Sequence, residues 1–442
     1  MKLEIRKKLD PVLRQPTKKV DDFGFEFQKT VDDMIETMRK SNGIGLAAPQ
    51  VGIPESFFIC EFEGDKESQL AGFPLTVLCN PEIKDQSKNQ KNMVEGCLSF
   101  PGMELLIKRP EKISITGQDR YGKDIEIEAS SLYARVMQHE LDHLNSTLFI
   151  DHLQKISIIF IGTGTLGLKS LELLAKDQQY DIKAVITANV EASGRKKHFI
   201  KNPVLELATT LKLPVIKTDN INDKEIIGRI KKLNPELGIM ADFGQIVGTE
   251  VLDIPQYGII NIHPSILPRH RGSTPIPQTI LDGDKITGVT LLLTSSKMDA
   301  GGIISQISVE LTGSETSSIL KEYLGEIASS LLLNSIPYYL AGDLDPLPQD
   351  ETKATYTKIL KKEDGFVDHS TPAHTVERKI RAFDQWPKVH TVIDSKRIQL
   401  SAAHFTENGD LVIDRVKPEG KNEMSYQEYL RGYKKEIRFE NN

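Results

Sequence analysis

The sequence predicts a multidomain chain: an α+β domain at residues 1–153, a doubly wound α/β domain at 156–341, a linker at 342–352 and a small β-rich domain at 353–442. Three observations predict it. The 442 residues exceed what one core of ordinary size can organise. The run ISIIFIGTG from Ile156 is a continuous apolar strand that ends in glycines and leads into the helical pattern LGLKSLELLAK, which is how a parallel sheet begins. Past the polar, proline-bearing stretch AGDLDPLPQDETK, the pattern becomes short alternating runs separated by turn signals.

In the first region the spacing of apolar residues predicts a helix across 27–38 and another across 132–144, with short strands and glycine-rich turns between them and no βαβ alternation. In the second, strands are expected near 182–187, 214–216, 238–241 and 258–262, with intervening helices such as 223–233 and a long amphipathic helix over about 317–340. The last region carries a helix around 374–383 and the strand runs VHTVID, RIQLSAA and DLVIDRV, with Asn408-Gly409 as a hairpin turn, the pattern of a small β-barrel or sandwich.

Composition excludes several classes. Three cysteines (Cys60, Cys79, Cys97) cannot all pair, which argues against a disulfide framework and for a reducing compartment. The N-terminal MKLEIRKKLDPVLRQ has no apolar signal core and no stretch approaches the roughly 20 apolar residues of a membrane span, so a cytoplasmic protein without membrane contact is expected. A net charge of −6 gives no global attraction to nucleic acid, so such binding must come from a local patch.

The sharpest local signal is HELDH at 139–143. Two imidazoles four residues apart share one helix face and can reach a single metal while Glu140 points to its open position. Alone, the motif could be a charged helix surface. EGCLSFPG adds Cys97 between Gly96 and Pro101-Gly102, and one thiolate with two imidazoles leaves a fourth position open, as a catalytic site requires. A third segment, GIGLAAPQVG at 43–52, is glycine-rich enough for close backbone approach and carries Gln50, whose amide can donate to an oxyanion. With these three motifs in this order, residues 5–153, including the early DPVLR, resemble the peptide deformylases. The resemblance implies a metallohydrolase that removes formyl from N-formylmethionyl nascent peptides, at the ribosome. Cys97, His139 and His143 would hold a divalent metal, ferrous iron first and zinc second, and Glu140 would activate the attacking water. Gln50 and the Leu98 backbone N–H would stabilise the oxyanion, and Gly45 would lie along the peptide. One departure stands out: the family follows its second histidine with leucine, a variable residue and glycine, where this chain has Leu144, Asn145 and Ser146.

In the second region GTGTLG, with Gly162, Gly164 and Gly167, has the form of a dinucleotide fingerprint but lacks the acidic residue at the end of the next strand, so a tight turn packing helix on strand is the favoured reading. The stronger constellation is NIHPSILPRHRGSTP at 261–275, expected at a sheet's carboxyl end, where Asn261 and His263 face the same way, followed by KMDAGGII with Asp299. With ADFGQIVG, TYTKILKKEDG and RKIRAFDQWP, residues 156–442 resemble the folate-dependent formyltransferases and are most similar to the methionyl-tRNA formyltransferase family. The resemblance implies a Rossmann-like catalytic domain and an OB-like, tRNA-binding barrel. It implies 10-formyltetrahydrofolate as formyl donor and initiator methionyl-tRNA as acceptor. Asn261 and His263 would polarise the formyl carbonyl, Asp299 would orient and charge His263, and Phe243, Gly244, Gln245 and Ile246 with Ser265, Leu267 and Pro268 would form the folate pocket. The basic run GRKKHFIKN supplies Arg195, Lys196, Lys197 and Lys201 to meet tRNA phosphates, against the plainer reading of a solvated loop. Two rivals stay open for this half: a formyltransferase acting on a sugar amine, and an inactive scaffold that binds tRNA or ribosome.

Overall fold

The computed structural model describes every residue except 1, 8–9, 66–69, 154, 190–191, 194–197, 200–201, 434 and 441–442. Its internal contacts divide it into two compact units, 1–155 with 337–344, and 156–336 with 345–442.

The first unit opens with helix α1 (Phe25–Lys40), two residues longer at each end than the apolar spacing predicts. Strands β1 (Gly45–Ala47), β2 (Phe57–Phe62) and β3 (Phe73–Gln86) follow, then the hairpin β4 (Gln90–Gly96) and β5 (Glu104–Pro110), then β6 (Lys112–Gln118) and β7 (Asp124–Ser130). β1, β2, β3, β6 and β7 form an antiparallel sheet in that spatial order. Helix α2 (Ser131–Leu144) packs Ala134, Val136 and Met137 against Phe58, Leu78, Ile113 and Ile115 of this sheet, which fixes the helix face that carries the histidines. Its end explains the departure in sequence: Ser146 takes φ +61°, a left-handed conformation that costs a non-glycine residue roughly 1–2 kcal/mol.

The second unit is built on a seven-stranded sheet. In chain order its elements are β8 (Ile156–Gly162), α3 (Leu168–Lys176), β9 (Tyr180–Thr187), the short antiparallel pair β10 (Ala192–Ser193) and β11 (His198–Phe199), α4 (Pro203–Thr210), β12 (Val215–Lys217), α5 (Lys224–Leu233), β13 (Leu237–Ala241), α6 (Thr249–Leu252), β14 (Ile259–His263), α7 (Pro275–Asp282), β15 (Ile286–Leu293) and β16 (Ile303–Glu310). The spatial order is β12-β9-β8-β13-β14-β15-β16. The first five strands are parallel, and the order reverses between β8 and β13, which opens a crevice at their carboxyl ends. β15 and β16 run antiparallel, joined by the loop 294–302, which is too short for a crossover helix. Along β14, Ile260 and Ile262 face one side while Asn261 and His263 face the other.

Helix α8 (Ser317–Ala341) buries Leu320, Leu324, Ala328, Leu332 and Ile336 at intervals of four, with Ser329, Ser335, Leu340 and Ala341 buried beside them. Past it, α9 (Ala373–Ala382) precedes β17 (Val389–Ile393), β18 (Lys396–Phe405), β19 (Leu411–Pro418), β20 (Met424–Ser425) and α10 (Tyr426–Tyr433). The four strands form an antiparallel meander in sequence order, and no pairing of β17 with β20 closes it among the described residues. Asn408-Gly409 turns β18 into β19, with Gly409 at φ +85°.

Two candidate active sites

On α2, Arg135, His139 and His143 recur at intervals of four, so they form one stripe, and all three are buried. The loop after β4 brings Cys97 to that stripe, with Sγ 3.3 Å from His143 Nε2. One donor atom from each of Cys97, His139 and His143 lies within 4.8 Å of the others. His139 Nδ1 is held at 3.0 Å by the Glu95 carboxylate, which leaves Nε2 as its free donor. Glu140 is buried with no hydrogen-bond partner for Oε2, and His143 Nδ1 is likewise unpaired. A cysteine sulfur and two imidazoles drawn together, with an unsatisfied buried carboxylate on the same helix, fit a divalent metal with an open coordination position.

Burial pushes the Glu140 carboxyl up to about 7, with His139 and the Ala47 N–H opposing. Glu140 fits only because residue 45 is glycine: a Cβ there would stand 2.3 Å from Oε1 and 2.8 Å from Val136 Cγ1. Gln50 is buried in the same wall. Its Oε1 accepts from Ala47 N at 2.8 Å and its Nε2 points at Cys97 Sγ (3.4 Å) and Ser99 Oγ (3.3 Å), so its donor faces the Cys97-His139-His143 cluster. Leu98 adjoins Cys97, and its carbonyl accepts from Lys7 Nζ at 3.1 Å.

Sequence reasoning missed the charged layer behind the ligands. Glu95 accepts from Arg109 Nε at 2.7 Å and Nη2 at 3.0 Å, and from Arg135 Nη1 at 2.7 Å, while Arg109 Nη1 reaches Asp142 at 2.6 Å. Burial alone would raise the Glu95 carboxyl, but hydrogen bonds from His139 and Arg109 win and hold it well below the usual carboxylate range. A signal was present: Arg135 is a charge on the stripe that the histidines define. This layer fixes the tautomer and angle of His139, so Arg109→Met is expected to weaken metal retention by roughly 10- to 100-fold. Equilibrium dialysis against zinc checks this, and unchanged retention would show that Arg135 alone holds Glu95.

In the second unit the loop 294–302 lays Asp299 against β14. Asn261 Nδ2 donates to Asp299 Oδ1 at 3.3 Å, and Asp299 Oδ2 accepts from Gly272 N at 2.8 Å and lies 3.8 Å from His263 Nδ1. His263 Nε2 is 2.9 Å from the His270 carbonyl. A carbonyl only accepts, so Nε2 carries the proton; Nδ1 then holds a lone pair in the neutral ring and donates only in the imidazolium.

Family models match the chain in three pieces: polypeptide deformylase at residues 2–158, formyl transferase at 154–336 and the formyl transferase C-terminal domain at 359–408. The methionyl-tRNA formyltransferase of Roseiflexus castenholzii is 34% identical over 300 residues, covering 63% of this chain and 96% of the relative. The chain belongs to the methionyl-tRNA formyltransferase family, with a peptide deformylase domain ahead of it. The enzyme of that name from Streptococcus equi subsp. zooepidemicus is 33% identical over 296 residues, covering 62% of this chain and 95% of the relative. Among solved structures, a peptide deformylase from Thermotoga maritima is 39% identical and covers 35% of this chain and 99% of its own, with a TM-score of 0.32.

In the formyltransferase part, the glycine-rich turn holds one of the chain's own carboxylates. A Cβ at Gly164 would stand 2.2 Å from Asp242 Oδ2, which accepts from Leu166 N at 3.3 Å and pairs with Lys321 Nζ at 2.5 Å. Gly162 and Gly167 are needed because a Cβ would stand 2.6 Å from Ala241 in each case. The anion position of a dinucleotide turn is thus filled from within, in line with the tight-turn reading. Of the residues expected around folate, Ile246 is 74% exposed, and Gln245 Oε1 accepts from Ile221 N at 2.8 Å. Phe243 packs on the core cluster around Val247 and Val251. A Cβ at Gly244 would meet nothing within 4 Å. Ser265 and Leu267 are buried, with Ser265 Oγ donating to Arg269 O at 2.7 Å, and the Pro268 carbonyl accepts from Thr355 N at 3.2 Å. The basic residues Arg195, Lys196, Lys197 and Lys201 lie outside the described residues. Gln349 and Glu351, within the expected linker, bond to the buried Arg271.

Proposed function

We infer that this chain is a bifunctional formyl-group enzyme of translation. It removes formyl from N-formylmethionyl peptides in its first domain and transfers formyl from 10-formyltetrahydrofolate to methionyl-initiator tRNA in the remainder. The observation that carries this reading is the presence of both constellations in one chain, Glu140 with Cys97, His139 and His143, and Asn261 with His263 and Asp299.

Cys97, His139 and His143 would hold a divalent metal, which would supply Lewis-acid polarisation and lower the pKa of a bound water toward neutrality. Thiolate and imidazole donors suit both ferrous iron, which we favour, and zinc. Glu140 takes a proton from the attacking water and returns it to the leaving amine, so that the formyl C–N bond breaks to give formate and a free N-terminus. Gln50 and the Leu98 N–H hydrogen-bond the oxyanion, and Gly45 leaves room for the peptide.

In the second reaction the methionyl amine attacks the formyl carbon and loses a proton, the bond to folate N10 breaks, N10 gains a proton and tetrahydrofolate leaves. Asn261 donates to the developing oxyanion. His263 donates there only as the imidazolium, which the Asp299 carboxylate at 3.8 Å stabilises. A cavity of about 870 Å³ beside Pro264, lined also by Leu166, Thr274 and Trp386, is wide enough for a methionyl side chain and terminal nucleoside. The finer fold names, Rossmann-like and OB-like, the boundaries at 153, 156, 341 and 353, the basic loop as a tRNA contact, action at the ribosome and a cytoplasmic location belong to the same reading.

Both activities are measured on one preparation: formate release from an N-formylmethionyl peptide, before and after chelation, and formylation of methionyl-initiator tRNA with 10-formyltetrahydrofolate. We expect both, with only the first lost on chelation and restored by metal. Folate binding without transfer to tRNA would point to a sugar amine, and absence of folate binding to a scaffold.

A further inference from the structure

Asp299 depends on a residue fifty positions away. It sits at φ +48°, in the left-handed region, which aspartate enters more readily than most residues with a Cβ. Its side chain is held by Asn261 and Gly272 N, at 3.3 and 2.8 Å. Its backbone is held by Gln349, whose Nε2 donates to the carbonyls of Asp299 (2.8 Å) and Gly301 (2.7 Å), at the bend and just after it.

Gln349 is fixed in turn. Its Oε1 accepts from Arg271 Nε and Nη2 at 3.0 and 2.8 Å. Arg271 is fully buried, and its guanidinium also reaches both Glu351 oxygens, at 2.9 and 2.8 Å, and the Tyr356 hydroxyl at 3.0 Å. The backbone joins the same two segments, because Arg271 N donates to Thr355 O at 2.8 Å and Thr357 N to Arg271 O at 2.7 Å. Arg271 is next to Gly272, whose N–H holds the Asp299 carboxylate. The stretch 349–357 therefore grips both sides of Asp299, its backbone directly through Gln349 and its carboxylate through the Arg271-Gly272 segment.

We propose that Gln349 is a positioning residue for formyl transfer: by holding the backbone of the Asp299 bend against Arg271, it aims the Asp299 carboxylate at His263 and Asn261. The proposal rests on the formyltransferase reading above. Its amide is required in both halves, the oxygen for Arg271 and the N–H groups for the two carbonyls. Gln349→Glu separates them, since the carboxylate keeps the Arg271 pairing while facing two carbonyls with no proton to offer.

The test measures formyl transfer to methionyl-tRNA by the full chain carrying Gln349→Glu or Gln349→Ala, with deformylation of a formyl peptide as the internal control. For Gln349→Glu the expected result is a kcat lower by on the order of 10- to 100-fold, as displacement of a catalytic group by about an ångström produces. KM for tRNA and folate should stay within about threefold, with the unfolding midpoint and deformylation unchanged, since a displaced catalytic group leaves substrate binding intact. Gln349→Ala should lower kcat at least as far. Three results would overturn the proposal: a kcat within about twofold of the parent, since no catalytic group would then have moved; a rise in KM alone, which would make Gln349 a docking residue; or a kcat loss matched by lost folate binding and a lowered midpoint in both variants, which would make it structural. If the parent chain itself forms no formyl-methionyl-tRNA, it is the function reading that fails.

Discussion

Glu140→Gln is expected to lower deformylation by on the order of 10²- to 10⁴-fold, the usual contribution of a positioned general base, with metal content unchanged. The substitution keeps the shape that packs against Gly45 and removes the group that can take a proton. It isolates that role because Glu140 is not among the three donors that cluster, Cys97, His139 and His143. It is also unusual in the parent chain: a buried carboxylate with one oxygen unpaired, which burial holds partly protonated near neutrality. Keeping such a group costs stability, and a glutamine amide there should cost less, so the variant should unfold no earlier than the parent. The checks are formate release under saturating peptide, metal analysis and the unfolding midpoint on one sample, with formyl transfer to tRNA unchanged. Full activity would remove Glu140 from the mechanism, and loss of activity together with metal would make it a support for the ligands.

What the sequence made legible, and what it hid, follows from the range of the interactions. HELDH could be read because a helix converts a spacing of four into a shared face, and α2 runs from Ser131 to Leu144 as the pattern predicts. The parallel strands could be read because strands buried on both faces are uninterrupted apolar runs, as in Ile158 to Ile161. By contrast, Glu95, Arg109 and Arg135 come from two strands and a helix, and only the folded chain shows that they share one buried cluster. Asp242 entering the glycine turn is equally nonlocal: the motif displays room for an anion, and nothing in its spacing says that the chain supplies one. The stretch 342–352 looked like a connector because it is polar and carries prolines. Polarity there serves Gln349 and Glu351, which satisfy a buried arginine; lining up that arginine with its partners requires the tertiary fold.

Asp299→Asn is expected to lower formyl transfer by roughly 10²- to 10³-fold, the range for losing one oxyanion donor, here His263, and to leave deformylation untouched. Asparagine is the best test because it tolerates the left-handed conformation that Asp299 adopts at φ +48°, so the bend should survive the change. Its oxygen can keep the bond from Gly272 N, but its amide then meets the Asn261 amide, donor against donor, where Oδ1 accepted at 3.3 Å. The charge is the larger loss. His263 Nε2 is committed to the His270 carbonyl at 2.9 Å, so Nδ1 can donate to the formyl oxygen only when the ring is protonated, and the neutral asparagine no longer favours that state. Rates of formyl-methionyl-tRNA formation by parent and variant measure the loss. A loss under about tenfold would mean that Asn261 and His263 stabilise the oxyanion without it.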